Sequence, residues 1–262
     1  MDDNYQTYLN RVARMTLPEA YRSQIHRIQE SSKFQVHSGS IKAMPFPGYT
    51  VITPCFEDKN AENAFYVNLQ SYQQQLLELS VSNDLIVPVP PTSFHLTLAD
   101  LIWDSAYRDA SEKNPAFEEQ LRSCFTEIFQ EYQQAITHKS PIRWQMLGLI
   151  VMPRAVGVCL VPQNEDSYQQ ILNLRRAIYQ NSQLMALGIE QHYDFTAHVT
   201  LGYFGEISPD LDRDRFATML SDLNEQWLLN LPEFLAERAE LRKFDDMTNY
   251  YRQQDWPILN FN

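Results

Sequence analysis

Two four-residue words hold most of the chemistry this sequence can offer: His95-Leu96-Thr97-Leu98 and His198-Val199-Thr200-Leu201. One such word would mean little, because a histidine on a strand is usually structural. Two copies, each expected on a strand after a comparable strand–helix unit, weigh more. Side chains at i and i+2 of a strand point to the same face. His95 and Thr97 therefore project together while Leu96 and Leu98 pack behind them, and His198 and Thr200 do the same against Val199 and Leu201. If two lobes are related by a pseudo-two-fold axis, two imidazoles and two hydroxyls meet in one cleft. That set suits phosphoryl chemistry at a diester. One imidazole, titrating near neutrality, takes a proton from the nucleophile while the other gives one to the leaving oxygen. The threonine hydroxyls donate to the non-bridging oxygens, where transition-state charge must be held. This division of roles needs no metal and no other cofactor.

The elements that must position these words recur along the chain. Tyr49–Cys55 reads as a β-branched strand, Ala61–Leu79 as a helix with Phe65, Leu69, Tyr72, Leu76 and Leu79 on one face, and Leu85–Val89 and Phe94–Leu98 as short strands. The second pass opens with a hairpin, Trp144–Val151 and Val156–Val161, continues through a helix at Ser167–Leu187, and ends in a strand at Ala197–Phe204. Val51 lies 44 residues before His95, and Val158 lies 40 before His198. The two words stand 103 residues apart, far beyond a solenoid period, so the duplication implies two lobes. Pro115–Ile136 is an amphipathic helix between them, and a helix at Leu211–Leu229 and a strand at Ala239–Phe244 follow the second word. Residues 37–48, with two prolines and two glycines, read as a loop. Residues 1–32 read as an N-terminal extension of two short helices broken at Pro18, and residues 33–262 as one bilobal domain with its motifs at 95–98 and 198–201.

Composition narrows the classes. A chain of 262 residues, 44% hydrophobic, is long enough for a sizeable core, and the mix of strand and helix patterns favours α/β or α+β over all-α or all-β. The net charge of −12 and pI near 4.9 oppose an extended basic track for a nucleic-acid backbone. They do not oppose a small phosphorylated ligand, which a local donor cluster can hold. Cys55, Cys124 and Cys159 are isolated and lack metal or redox spacing, which suggests reduced thiols in an intracellular protein. The N-terminus lacks a signal-peptide profile, and no apolar run approaches the roughly 18 residues of a membrane span. A cytoplasmic protein without a membrane partner is the default expectation. No zinc-spaced cluster, P-loop or dinucleotide fingerprint occurs.

The duplicated His-x-Thr word on matching lobes resembles the 2H phosphoesterase superfamily, which includes the LigT-like RNA ligases and cyclic nucleotide phosphodiesterases. Lys33-Phe34, then Pro45-Phe46-Pro47-Gly48-Tyr49-Thr50-Val51, then Ser93-Phe94-His95-Leu96-Thr97, resemble a bacterial and fungal branch of it. The resemblance spans roughly residues 33–245. It implies two α+β lobes around a concave antiparallel surface. It also implies opening of a 2′,3′- or 1″,2″-cyclic phosphate, or cleavage of a 2′–5′ linkage, in a small cyclic nucleotide or at an RNA terminal phosphate. His95 and His198 carry over as catalytic, with His198 as base and His95 as acid by analogy, and Thr97 and Thr200 as phosphate-binding.

Other residues have weaker claims. Trp103 and Tyr203 are candidates for base stacking, and a bulge after Gly202 would turn Tyr203 inward. Ordinary core packing is the competing explanation for both. Arg154, at a hairpin turn, can reach a phosphate or simply be solvated, and Lys42 and Arg143 have no better claim. His26, His37, His138 and His192 fall in helix or loop contexts. Two other functions remain open: a binding module that reads a nucleotide or terminal phosphate without turnover, and 2′–5′ RNA ligation.

Overall fold

The structure, a computed structural model, describes residues 2–37, 40–56, 64–79, 84–136, 140–229 and 231–261. Helices α1 (Tyr5–Met15) and α2 (Pro18–Ile25) lead into a small hairpin, β1 (Phe34–His37) and β2 (Ser40–Ala43). Then come β3 (Gly48–Ile52), α3 (Ala64–Leu79), β4 (Ile86–Pro88), β5 (Thr97–Trp103), α4 (Asp104–Lys113) and α5 (Phe117–Ala135). The second half runs β6 (Ile142–Val151), β7 (Ala155–Pro162), α6 (Glu165–Tyr179), α7 (Ser182–Ala186), β8 (His198–Phe204) and α8 (Arg213–Trp227). It closes with β9 (Glu233–Ala236), β10 (Arg238–Asp246), β11 (Asn249–Tyr251) and β12 (Ile258–Asn260). No described helix is long and apolar enough to cross a membrane.

Two antiparallel sheets make the α+β fold. One has the order β11-β10-β3-β5 with β12 on β10, and the other β4-β8-β7-β6-β9. The duplication expected from the motifs is visible in the pairing. β3 neighbours β5, and β7 neighbours β8, each pair joined through helical crossovers. Val51 lies opposite Ala99 in one sheet, as Val158 lies opposite Val199 in the other.

Chain order and sheet order differ, however. β4 leaves the first half to pair with β8, and β10 returns from the second half to pair with β3. The two sheets thus exchange strands. β4 ends in Pro88, which cannot donate to a ladder and so suits the sheet edge that it occupies. From α3, the Gln73 side chain donates to Val89 O and Leu201 O at 2.8 and 2.7 Å, fixing that edge beside the second motif.

The helices form where apolar spacing and caps agree. α3 and α5 bury the stripes read from sequence, including Phe65, Leu69 and Leu76, and Leu121, Phe125 and Ile128. The helix expected over 167–187 is two helices. Asn181 accepts from Gln183 N and Leu184 N and starts α7 afresh. Residues 61–63, expected to begin α3, lie outside the described residues, and α4 has a face too polar for its single buried residue, Tyr107, to reveal. Of the stretch read as loop, His37 lies in β1 and Ser40–Ala43 form β2, which pairs antiparallel with β1.

The first two helices pack across β6 and β7. Tyr8 Oη donates to Leu160 O at 3.0 Å and Tyr21 Oη to Leu149 O at 2.8 Å, and both tyrosines are fully buried. Beneath them, β6 carries a bulge between Met146 and Gly148. Gly148 has φ +144°, a region open essentially to glycine, and an added Cβ would stand 2.6 Å from Asn224 Oδ1, the acceptor for Leu149 N. Gly148→Ala is expected to cost roughly 2–3 kcal/mol in urea denaturation. An unchanged midpoint would mean that the bulge re-forms elsewhere without penalty.

Candidate active site

A cavity of about 600 Å3 opens between the two sheets, and His95, Thr97, His198 and Thr200 all line it. The two half-sites are built alike. The chain enters the first through a 3-10 turn at Pro91–Ser93, and the imidazole Nδ1 of His95 lies 2.6 Å from Ser93 O. In the second, His198 Nδ1 lies 2.8 Å from Thr196 O. A carbonyl oxygen only accepts, so each Nδ1 carries the hydrogen and each neutral ring keeps its lone pair on Nε2. The lead-in segments are pinned to neighbouring strands. Leu96 N donates to Thr53 Oγ1 at 3.0 Å, and Leu160 N donates to Ala197 O at 2.8 Å.

β-Bulges decide what else faces the cavity. In β5 the register skips between Val51–Ala99 and Ile52–Thr97, and again between Tyr49–Ile102 and Thr50–Asp100. Each extra residue shifts the alternation by one. The cavity-lining set is therefore His95, Thr97, Asp100 and Trp103, and not a strict every-other series. In β8 the skip falls at Leu201, between Thr200 and Gly202, and Tyr203 turns into the cavity. The inward turn of Tyr203 was expected from Gly202, with the bulge placed one position later. β8 also needs a bare neighbour: a Cβ on Gly157 would stand 2.2 Å from Val199 O, inside the second motif.

The second half-site is held from the N-terminal side. Arg11 donates to Thr196 Oγ1 at 2.7 Å and to Phe195 O at 2.6 Å, and Asp2 accepts from Phe195 N at 2.8 Å. Asp2 also accepts from Arg175 Nε at 2.7 Å, a nearly buried ion pair. Arg175 Nη1 in turn donates to Leu98 O, the bulge of the first half-site, at 2.7 Å. One guanidinium thus ties both halves together.

Burial sets the electrostatics. It pushes the His95 pKa down to about 4, the carbonyl of Ser93 opposing and the charges of His198 and Arg242 adding. The Tyr250 ring lies 4.2 Å from the His95 ring, and Arg242 holds Tyr250 through its carbonyl at 2.8 Å. Asp100 is open to solvent in the cavity, yet protein on its other sides still raises its pKa by desolvation, against His198, Arg175, Lys33 and His192. A folded His95 pKa of about 4 lies below that of an unfolded histidine, so the unfolded chain binds the extra proton between pH ~6.5 and ~4. Stability is expected to fall as pH drops through that window, by at most about 3 kcal/mol from this group. His95→Gln should flatten that part of the Tm–pH curve. An identical slope in the variant would place the linkage elsewhere.

Trp103 and Tyr203 both line the cavity. Trp103 meets His192 edge-on at 4.8 Å and stacks with Tyr193 at 6.1 Å, forming an aromatic wall contributed by both halves. Arg154 does not line the cavity; it is exposed and donates to Gln29 Oε1. Lys42 and Arg143 are also exposed and outside it. His26 pairs with Asp214 at the surface, while the side chain of His37 and all of His138 lie outside the described residues. Asp100, Lys33, His192, Tyr193 and Tyr250 were not read as site residues. Among the described residues no group of three or more His, Cys, Asp or Glu is placed to hold a metal ion.

Comparison with known proteins agrees with this architecture. Residues 33–152 match the family model 2H-phosphodiest, described as a domain of unknown function (DUF1868). No curated protein matches the sequence. The crystal structure of a conserved protein of unknown function from Agrobacterium tumefaciens str. C58 shares the fold, with TM-score 0.61 and 16% identity over 92% of this chain and 97% of that one. TT0787 of Thermus thermophilus (TM-score 0.42, 16% identity, 74% of this chain and 86% of that one) is more distant. So is E. coli LigT complexed with 3′-AMP (TM-score 0.40, 14% identity, 83% and 98%). The family model thus matches across the first motif, and the α+β fold is shared along nearly the whole chain.

Proposed function

We propose that the protein is a metal-independent phosphodiesterase that opens a cyclic phosphate or cleaves a 2′–5′ linkage in a nucleotide or RNA end. The observation that carries this reading is the convergence of His95, Thr97, His198 and Thr200 on one cavity, with both Nδ1 atoms committed to backbone carbonyls. Two rings held in one tautomer can exchange protons with opposite ends of a phosphodiester, and the threonine hydroxyls can hold the oxygens between. Trp103 and Tyr203 are proposed to face the base, with Tyr193 and His192 extending the Trp103 wall.

Analogy made His198 the base and His95 the acid. The electrostatics of the free site favour the exchange. With its pKa near 4, His95 is neutral around pH 7 and holds a lone pair on Nε2, the form a base requires. The profile of kcat/KM against pH tests this, because it reports ionisations of the free enzyme. With His95 as base, the acid limb near pH 4 belongs to His95, so the residual activity of His95→Ala should lose that limb and not rise with pH. A residual rate in His95→Ala that rises with pH would return the acid role to His95.

A further inference from the structure

The duplication breaks at one cavity position. Three residues beyond each motif threonine stand Tyr203 in the second half and Asp100 in the first, and the bulges bring both into the same cavity. Tyr203 is satisfied there: its ring packs on Phe34 at 5.5 Å and its hydroxyl lies 3.2 Å from Met247 Sδ. The Asp100 carboxylate has no hydrogen bond or ion pair among the described residues, although Lys33 and His198 lie near enough to act on its charge. Lys33 is in a matching condition. Its ammonium sits 4.6 Å from the Phe46 ring and 5.1 Å from the Tyr203 ring, lines the cavity, and makes no ion pair among the described residues. Burial depresses its pKa against the pull of Asp100. A carboxylate and an ammonium that are partly desolvated and not closed onto each other lack the compensation that such groups need. Something between them would supply it.

We propose that Asp100 and Lys33 form a subsite for a sugar hydroxyl, which donates to the carboxylate and accepts from the ammonium while the phosphate lies on the His-x-Thr pairs. This rests on the phosphoesterase reading and narrows it to substrates whose sugar keeps a free hydroxyl besides the one that carries the phosphate. A hydroxyl is both donor and acceptor, so it satisfies the two groups at once. An alkyl or ether group would leave the carboxylate unmet, and a second phosphate would suit Lys33 but oppose Asp100. The faces of Phe46 and Tyr203 beside Lys33 give the C–H surface of a sugar an apolar partner.

The test is equilibrium binding, by calorimetry, of adenosine 3′-monophosphate and its 2′-deoxy and 5′-deoxy counterparts to the wild type, Asp100→Ala, Asp100→Asn and Lys33→Met. A hydrogen bond to a charged group implies that one deoxy ligand binds the wild type roughly ten- to a hundredfold more weakly. That difference should shrink below about threefold in Asp100→Ala and in Lys33→Met, on the same free-energy scale. Asp100→Asn keeps the side-chain shape and stands in where alanine disturbs the bulge, with circular dichroism checking both folds. Equal binding of all three ligands to the wild type, absence of binding by any of them, or a deoxy penalty that survives both Asp100 variants would overturn the subsite. Turnover is not needed for this comparison. A protein that hydrolyses nothing but still discriminates the hydroxyl would therefore contradict the catalytic reading and not the subsite.

Discussion

His95→Ala and His198→Ala are each expected to lower kcat by about 10²- to 10⁴-fold, the range for removal of a positioned acid or base. The two changes together should cost little more than one alone, because either loss breaks the same proton circuit. Thr97→Val and Thr200→Val should each cost about 10²-fold through lost stabilisation of the phosphate oxygens. The fold should tolerate these changes, since all four side chains face the cavity and the packed positions behind them, Leu96, Leu98, Val199 and Leu201, are untouched. Steady-state kinetics on a cleavable substrate, with Tm measured beside it, separates the two effects. A histidine variant that keeps wild-type kcat with wild-type Tm would remove that ring from the chemistry.

The second large effect concerns stability. Arg175→Met is expected to cost about 3–5 kcal/mol, because it leaves the Asp2 carboxylate buried without its cation. For a protein of this size that lowers Tm by roughly 6–20 °C. Arg175→Lys should rescue little of it. A single ammonium cannot reach Asp2, Leu98 O and Tyr193 O in the directions that the planar guanidinium serves. The loss should reach the site as well, since Asp2 holds Phe195 N just ahead of His198, and Leu98 separates Thr97 from the turn toward Asp100. Thermal melts of Arg175→Met, Arg175→Lys and Asp2→Asn measure this directly. A Tm within about 2 °C of wild type for Arg175→Met would show the ion pair to be expendable.

That His95, Thr97, His198 and Thr200 share one cavity was legible because strand alternation is local. His95 with Thr97, and His198 with Thr200, follow from i and i+2 alone. Tyr203 was legible for a neighbouring reason: Gly202 advertises a bulge in its own chain. Asp100 was not. Alternation from Thr97 points to Ala99 and Leu101, and only the skips in pairing against β3 rotate Asp100 inward. Those skips belong to the partner strand's register, which no window of β5 contains. Trp103 was singled out for its position after the motif, and its place in the cavity depends on the same skips. The exchange of β4 and β10 between the sheets is hidden likewise, since each run reads as a strand without stating its neighbour. Arg175 was lost inside a helical pattern. Its partners Asp2, Leu98 and Tyr193 lie 173, 77 and 18 residues away.

These features converge on one claim, that paired imidazoles and hydroxyls cleave a phosphodiester on a sugar without a metal. The most direct measurement is hydrolysis of 2′,3′-cyclic nucleotides, ADP-ribose 1″,2″-cyclic phosphate and 2′–5′ dinucleotides in the presence of EDTA, with His95→Ala and His198→Ala run in parallel. The account predicts turnover of at least one substrate that survives EDTA and is lost in both variants. Turnover abolished by EDTA, or retained by either histidine variant, would contradict it.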